Sequence, residues 1–339
     1  MRVPARKDLA EQYIRKIFLS QLKTEGASGV VKIKGIDSEK QRVFQVDVSG
    51  KKFILKINIP FWDEENSLMK MLNEQSSLKM LESKNFLWAP KLYSFEKEKD
   101  LFNAEIIVME HAQDSRKIFN RQSIASLAEI ILTLHKIVSR EFTAPFGDVE
   151  KKNKGDGFDF INSYLRLLED DMAKILISPI CKKLDAGEFI KAAFKEIKKN
   201  IFLARDLFKK TKNFSFLHCH LVRDEERRHV IISESGELRV IDWESACFGE
   251  KELELASFLY ENFNLRKDLK RFLIDLVKTG ESISFEKIHL YTGLLILDDL
   301  IEDLKKTELT LRIKMGHAAG SSFLKVYHRQ RKLLIETLN

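Results

Sequence analysis

The sequence predicts an α+β fold, because strand-like segments come first and helical patterns fill most of the rest of the chain. Three strand-like runs lie close together near the N-terminus, with the alternation expected of a sheet that has one covered face. These runs are Val30–Ile36, Val43–Val48 and Phe53–Ile57. Helical patterns cover Phe158–Ile177 and Gly187–Lys210 in the second half of the chain.

The composition is that of a globular protein with a sizeable core. The chain has 339 residues, of which 44% are hydrophobic, and this length suits one or two domains. No uninterrupted apolar stretch approaches the roughly 20 residues that a membrane-spanning helix needs. The formal charge of +7 comes from charged residues that are dispersed at helical spacing. We therefore expect neither a membrane nor a nucleic-acid partner.

The cysteines and the N-terminal segment indicate a reducing compartment. Cys181, Cys219 and Cys247 are an odd number without paired spacing, which argues against a disulfide framework. The N-terminal segment has neither the apolar core nor the small-residue cleavage site of an export signal. A cytoplasmic location is the resulting expectation.

Further elements follow in chain order. Asp8–Thr24 places its apolar residues on one face of a helix, and Glu64–Lys84 is also helical by pattern. Pro90 then opens a pair of strands, Lys91–Phe95 and Ala104–Glu110, which a charged tip separates. The N-terminal third therefore combines a sheet of several strands with helices.

Lys56 interrupts the apolar pattern of the third strand-like run. It lies inside the sequence ILKI, with apolar neighbours on both sides. A lysine in such a place is costly unless it is paired with a carboxylate or contacts an anion. Two interpretations follow from the residues alone: a lysine on an edge strand that extends into solvent, or a functional lysine.

The segment 214–259 ends its apolar runs in groups that are able to face a ligand. It contains a short apolar run, a charged loop, an apolar hairpin and the start of a helix. The candidate chemical residues are His218, His220 and Asp242, each at the loop end of a buried strand. This arrangement is typical of the floor of an active site.

Two motifs in this segment, LHCHL and VIDWESACFGEKELELA, resemble those of the aminoglycoside phosphotransferase/choline kinase family of small-molecule kinases. In that family the catalytic loop reads His-x-Asp-x-x-x-x-Asn, and the metal-binding element reads Ile-Asp-Trp/Phe-Glu. The metal-binding element is present here, with Asp242, Trp243 and Glu244 in place. The catalytic loop departs from the pattern, since His220 stands where the family has its catalytic Asp.

The resemblance implies a two-lobed, protein-kinase-like fold of the α+β class. Residues 1–111 would form a small N-terminal lobe with an antiparallel sheet that binds the nucleotide. Residues 112–339 would form a larger, mainly helical C-terminal lobe that carries the catalytic and metal loops and the acceptor site.

The resemblance also implies the residues that bind nucleotide. Lys56 matches the lysine that contacts the phosphates in these kinases, and Glu74 matches the helix glutamate that holds this lysine. The run IIVMEHA is similar to the hinge between the lobes, whose backbone hydrogen-bonds an adenine. Glu110 and Ala112 are the expected backbone contacts.

Catalysis and metal binding are assigned on the same basis. His220, Asp242 and Lys56 form the expected catalytic set. His220, which is able to accept a proton from a hydroxyl group, or a nearby acid such as Asp224 would replace the usual base. Asp242 is the expected first metal ligand. The second ligand, an Asn in the family, falls on Glu225 when it is counted from His220, and on His229 when the following strand is aligned. Both alignments are open.

The implied cofactors are ATP or GTP with Mg²⁺, and the implied substrate is a small molecule with a hydroxyl acceptor. The sequence specifies neither the acceptor nor the oligomeric state. The alternative is a pseudokinase that binds nucleotide or a partner with little phosphoryl transfer. This alternative is open because three features depart from the family pattern: the catalytic base, the second metal ligand, and the glycine-rich loop between the first two strands. At that loop this chain reads GIDSEKQRVFQV, with Gly35 but no pair of glycines.

Overall fold

The protein was characterised as a computed structural model that describes residues 31–35, 43–48, 50–58, 67–98, 104–115, 121–143, 150–219, 221, 229–261, 282–312, 331–334 and 336–337. The predicted helix Asp8–Thr24 lies outside this part of the chain. The chain divides into two compact units. The first comprises residues 1–118 with 229–245, and the second comprises residues 119–228 with 246–339.

A five-stranded antiparallel sheet forms the core of the first unit, in the order β1-β2-β3-β5-β4. The strands are β1 (Val31–Gly35), β2 (Val43–Val48), β3 (Lys51–Asn58), β4 (Leu92–Glu98) and β5 (Ala104–Glu110). Phe53, Leu55 and Ile57 are buried, as their alternation predicts. All five segments that the sequence predicts as strands in this region are therefore part of one sheet.

Lys56 lies in a central strand of this sheet. In β3 it pairs with Val43 of β2 on one side and with Ile107 of β5 on the other. The interpretation as an edge-strand lysine is therefore wrong, because both edges of its strand are hydrogen-bonded. Its ammonium group needs stabilisation from partners above the sheet.

One helix and one hairpin complete the described part of the first unit. They are α1 (Ser67–Ser83) and the hairpin β10 (Val230–Ile232) with β11 (Leu238–Val240), which a 3₁₀ turn (Trp243–Ser245) follows. Leu78 and Leu81 of α1 are buried. The described part of the segment Glu64–Lys84 is therefore helical, as its pattern predicts.

Long-range backbone hydrogen bonds connect the β10–β11 hairpin to the rest of the first unit. The N–H of Ser115 donates to the carbonyl of Ile232 at 2.8 Å, and the N–H of Val240 donates to the carbonyl of Trp88 at 2.8 Å. The buried ring of Trp243 also meets the ring of Phe86 edge-on. These contacts place the segment that carries Asp242 in the same unit as Lys56.

The second unit is mainly helical. Its described helices are α2 (Arg121–His135), α3 (Gly157–Leu176), α4 (Pro179–Lys183), α5 (Gly187–Leu203), α6 (Arg205–Phe208), α7 (Lys251–Glu261) and α8 (Phe285–Arg312). Helix α3 begins in a capping box, in which the carboxylate of Asp156 accepts from the N–H groups of Phe158 and Asp159. None of the described helices is long and apolar enough to cross a bilayer.

A small antiparallel sheet lies in the second unit, with β9 in its centre. Its strands are β6 (Val138–Ser139), β9 (Phe214–Leu217) and β12 (Cys247–Gly249), and β7 (Glu141–Thr143) pairs separately with β8 (Lys152–Lys154). All four residues of β9 are buried. The sheet therefore positions the backbone up to Leu217, immediately before His218.

Helices α3 and α8 are joined by a polar contact inside the second unit. The hydroxyl group of Tyr164 donates to Oδ2 of Asp298 at 2.8 Å. Burial raises the pKa of Asp298 to about 6, although the hydrogen bond from Tyr164 opposes this change. Asp298 therefore holds a proton in the folded protein at a pH where an exposed aspartate is ionised.

Replacing Asp298 by asparagine is expected to change the pH dependence of stability. The raised pKa means that the folded state binds this proton more tightly than the unfolded state, so the stabilisation is lost as the pH rises through about 6. Relative to the variant, the wild type should lose about 1 kcal/mol of unfolding free energy between about pH 5 and about pH 7.5. Urea denaturation of both proteins measures this difference, and a difference that does not vary with pH would contradict the assignment.

Candidate active site

The ammonium group of Lys56 lies between two carboxylates of the first unit. Its Nζ atom is 2.6 Å from Oε2 of Glu74 and 2.9 Å from Oδ1 of Asp242. Glu74 is 1% exposed, whereas the side chain of Asp242 is 32% exposed. This Lys56 cluster, formed by Lys56, Glu74 and Asp242, therefore has one carboxylate inside the protein and one that a ligand can reach.

The charges of the cluster depend on each other. Burial lowers the pKa of Lys56, but attraction to Asp242 and Glu74 outweighs this effect and holds that pKa above its usual value. Burial raises the pKa of Glu74 to about 7, with attraction to Lys56 opposing it. The second oxygen of Glu74, Oε1, is buried and has no hydrogen-bond partner among the described residues. Lys56 thus stays cationic, and the more exposed side of the cluster is that of Asp242.

The variant Lys56→Met is expected to destabilise the protein by about 2 kcal/mol, because it leaves the buried Glu74 without a cation. The matched control is Lys52→Met on the same strand, where the lysine is exposed and the cost should stay within about 0.5 kcal/mol. Urea denaturation at constant pH compares the two. Equal effects of the two substitutions would show that the cluster contributes no net stability.

The backbone of Asp242 has a left-handed conformation, with φ at 67°. This conformation is uncommon for residues other than glycine, although aspartate adopts it more readily than most. It occurs between the end of β11 and the 3₁₀ turn, where the chain changes direction. Backbone strain of this kind is concentrated at functional sites, which is consistent with the exposed position of the Asp242 carboxylate.

His229 lies on the other side of the Asp242 carboxylate. Its Nε2 atom is 3.3 Å from Oδ2 of Asp242, while Lys56 contacts Oδ1. The N–H of Ile241 donates to the carbonyl of His229 at 2.8 Å, so the base of the hairpin fixes the two residues next to each other. The structure therefore brings together Lys56, Glu74, Asp242 and His229.

Helix α1 holds the turn that follows Asp242. The side-chain amide of Asn73 donates to the carbonyl of Glu244 at 3.0 Å, and Lys70 forms an ion pair with the Glu244 carboxylate at 3.1 Å. These contacts were missed by the sequence analysis, because no local pattern connects α1 with a turn about 170 residues later. The only sequence signal for the position of Glu244 was the motif VIDWESACFGEKELELA, which contains it.

The expected hinge residues lie at the end of β5. The N–H of Glu110 already donates to the carbonyl of Lys91 at 2.9 Å, so it is not available to a ligand. The N–H of Ala112 has no hydrogen-bond partner among the described residues.

The loop that follows β9 is anchored within the second unit. The N–H of Cys219 donates to Oε2 of Glu254 at 2.7 Å, and its carbonyl accepts a hydrogen bond from the hydroxyl of Ser257. Glu254 therefore braces this loop through the backbone of Cys219. Two of the predicted site residues, His220 and Glu225, lie outside the described residues, and their roles stay predictions.

The architecture of the chain is that of an α+β protein with a kinase-like fold, in which a small antiparallel sheet precedes a mainly helical region. The Lys56 cluster lies in the unit that contains this sheet. The fold predicted from the two motifs is therefore confirmed.

Solved structures of small-molecule kinases share this fold with the chain. Choline kinase LicA from Streptococcus pneumoniae is similar with a TM-score of 0.60 and 18% sequence identity, and 98% of each chain is covered. Aminoglycoside phosphotransferase APH(4)-Ia gives a TM-score of 0.61 with 13% identity over 98% of each chain. A variant of the same enzyme in a ternary complex with AMP-PNP and hygromycin B gives 0.62 with 13% identity, over 97% of each chain.

Neither a protein-family model nor a curated protein matches the chain by sequence. The similarity to the solved structures is therefore a similarity of fold.

Proposed function

We propose that this protein is an ATP-dependent phosphotransferase that acts on a hydroxyl group of a small molecule. The observation that carries the proposal is the position of Lys56, held at 2.6 Å from Glu74 and at 2.9 Å from Asp242. In kinases of this fold a lysine on the third strand contacts the nucleotide phosphates, a helix glutamate holds this lysine in place, and an aspartate like Asp242 binds the metal. Catalysis of phosphoryl transfer consists mainly of positioning these groups and stabilising charge, and it requires little covalent chemistry from the protein.

The nucleotide that we propose is ATP. Lys56 would contact its phosphates, and the hinge residues Glu110 and Ala112 would contact the adenine through their backbone. The N–H of Ala112 is the better placed donor, because that of Glu110 is already bonded within the sheet. An adenine nucleotide is favoured over GTP by the related fold of LicA, which binds AMP, and by that of APH(4)-Ia, which binds AMP-PNP.

The residues present fit a divalent metal ion that binds together with nucleotide phosphates. Among the described residues there is no cluster of three or more His, Cys, Asp or Glu side chains that would form a cage for a metal. Mg²⁺, however, is usually bound by one or two carboxylates, with phosphate oxygens and water as further ligands. The accessible Asp242 supplies such a carboxylate, and the second ligand that the sequence predicts is Glu225 or, in the other alignment, His229. The metal would neutralise charge on the phosphates.

The acceptor hydroxyl requires a group that orients it and takes its proton. His220 is the proposed base, because it occupies the position of the catalytic Asp in the family motif. A neutral imidazole is able to accept a proton near pH 7. It lacks the negative charge of a carboxylate, so slow transfer is expected.

The experiment that tests the proposal is a screen for ATP consumption over hydroxylated metabolites and antibiotics. Turnover in the wild type that is absent in Asp242→Ala and reduced in His220→Ala would support the phosphotransferase. If neither nucleotide nor divalent metal shifts the melting temperature, the site assignment is wrong.

The second candidate is a pseudokinase that binds nucleotide or a partner with little phosphoryl transfer. The observation that favours it is that His220 stands where the family motif has its catalytic Asp, while the position of the family Asn falls on Glu225 or on His229, depending on the alignment. Both candidates predict nucleotide binding, so binding alone does not separate them. Measurable binding of the metal-nucleotide complex without turnover of any acceptor would favour the pseudokinase.

A further inference from the structure

Two of the three cysteines of the chain lie in contact inside the second unit. The Sγ atoms of Cys219 and Cys247 are 3.3 Å apart, although 28 positions of sequence separate the two residues. Both side chains are fully buried, and both are free thiols. The third cysteine, Cys181, is also a buried free thiol, but it belongs to helix α4. The chain therefore contains one pair of adjacent thiols, which its sequence spacing did not indicate.

The backbone on both sides holds the two thiols together. Strand β12 pairs with β9 and places Cys247 opposite Leu217, two positions before Cys219. Cys219 itself has a left-handed backbone, with φ at 69°, and its N–H and carbonyl are bonded to Glu254 and Ser257 of α7. Because strand pairing positions one cysteine and helix α7 positions the other, the contact between the sulfurs is built into the fold of this unit.

The distance between the sulfurs is short enough for a disulfide to form by a small movement. An S–S bond is about 2.05 Å long, so the two Sγ atoms of Cys219 and Cys247 would have to approach by about 1.2 Å. If one thiol becomes a sulfenic acid, the other is already next to it, and the condensation of the two is intramolecular. A sulfenic acid on Cys181 would have no neighbouring cysteine with which to condense.

We propose that Cys219 and Cys247 form an oxidation site, at which a small peroxide such as hydrogen peroxide converts the two thiols into a reversible disulfide. In the first step the sulfur of one thiolate attacks an oxygen of the peroxide, the O–O bond breaks, and a sulfenic acid and water form. The second thiol then attacks the sulfenic sulfur, the S–O bond breaks, and the S–S bond forms with release of water. The two thiols together lose two electrons and two protons, and one peroxide is reduced to two molecules of water.

The burial of the pair determines the rate of this reaction. Since both sulfurs are inaccessible in the folded protein, a peroxide reaches them only when the surrounding structure opens locally. Strand β12 has three residues and is an outer strand in the order β12-β9-β6 of the described sheet, so a small opening is sufficient to expose Cys247. The disulfide is therefore expected to form over minutes to hours and to require a small oxidant.

A disulfide at this site would act on the loop that contains the proposed base. Cys219 directly precedes His220, and the approach of the two sulfurs would pull on the backbone that Glu254 and Ser257 hold. Oxidation is therefore expected to lower ATP turnover by about tenfold or more, because small displacements of positioned groups are costly in catalysis. This consequence rests on the proposed function, whereas the formation of the disulfide does not.

The test is mass spectrometry of the full-length protein after incubation with hydrogen peroxide, followed by alkylation of the remaining thiols in denaturant. The wild type should take up one alkyl group, at Cys181, instead of three, and its peptide map should contain a cross-link between Cys219 and Cys247. Treatment with dithiothreitol before alkylation should restore all three alkyl groups. The matched control Cys181→Ser also removes a buried cysteine and should keep the cross-link, whereas Cys247→Ser should form none.

Two results would overturn the oxidation site. One is a peroxide-treated wild type in which Cys219 and Cys247 are alkylated as fully as Cys181. The other is oxidation of the two cysteines to sulfinic acids without a cross-link between them.

ATP turnover, measured on the same samples, separates this inference from the proposed function. A wild type that loses turnover on oxidation and recovers it with dithiothreitol, beside a Cys247→Ser variant that does not respond, would support the effect on the loop. A cross-linked wild type with undiminished turnover would overturn that effect and leave the oxidation site standing. A wild type without turnover before oxidation would count against the proposed function, and the cross-link would still decide the oxidation site.

Discussion

Replacing Asp242 by asparagine is expected to lower ATP turnover by about 10³-fold, because charge stabilisation by a bound metal is worth several kcal/mol in the transition state. The amide retains the shape of the side chain and one oxygen that can accept from Lys56, so the fold should be preserved. Turnover is measured as ATP consumption with the acceptor that the screen identifies. Circular dichroism of the variant checks that the protein is folded.

The matched control is Asp171→Asn in the second unit. Asp171 has the same side-chain exposure as Asp242, 32%, and is also paired with a lysine, Lys305 at 2.8 Å. This control should keep turnover within about twofold of the wild type, since surface ion pairs contribute little. Full turnover in Asp242→Asn, or equal losses in both variants, would show that Asp242 does not bind the catalytic metal.

The Lys56 cluster was predictable from sequence because each of its members lies in a short, compact motif. Lys56 interrupts an apolar strand, and this is a signal that polar stabilisation is required. Glu74 and Asp242 were assigned through the family resemblance, since neither residue is unusual in its local context. The structure adds the contacts that the motifs imply, at hydrogen-bonding distance.

The position of His229 was not decidable from sequence. An insertion separates LHCHL from the next strand, so that counting from His220 and aligning the strand give different residues. The backbone settles the local geometry, because the N–H of Ile241 bonds the carbonyl of His229 and brings its ring to Asp242. Long-range pairing of this kind leaves no periodic signal in the sequence.

The helix predicted at Gly187–Lys210 shows a different limit of sequence patterns. In the structure α5 ends at Leu203, and the short helix α6 follows after Ala204. Phe202 and Leu203 are exposed at this break although they are apolar. The helical spacing of apolar residues therefore continues past the residue where α5 ends. The periodicity of apolar residues alone does not locate the C-terminus of a helix.

Lys287 and Glu250 form a buried ion pair in the second unit, and this pair allows a test of what stabilises the unit. Lys287 of α8 is 5% exposed, and its Nζ atom lies 2.5 Å from Oε1 of the fully buried Glu250. The hydroxyl of Tyr291 donates to the other oxygen of Glu250 at 2.6 Å, and Lys287 also donates to Thr211 at 2.7 Å. Each of these hydrogen bonds therefore has Lys287 or Glu250 as one of its partners.

Lys287→Met is expected to reduce the free energy of unfolding by about 3–5 kcal/mol, because it leaves the Glu250 carboxylate buried without a cation. Lys305→Met on the same helix should cost less than about 1 kcal/mol, since exposed ion pairs contribute little. The side chain of Lys305 is 29% exposed, against 5% for Lys287, so the two variants compare the same change at different burial. Urea denaturation gives both values.

Adding Glu250→Gln to Lys287→Met should recover at least half of the lost stability, because the amide is neutral and still accepts the hydrogen bond from Tyr291. Recovery would identify the unpaired charge, rather than lost packing of the lysine side chain, as the cause of the destabilisation. If the double variant is less stable than Lys287→Met, or if Lys287→Met costs no more than Lys305→Met, the charge of Glu250 does not determine the stability of this region.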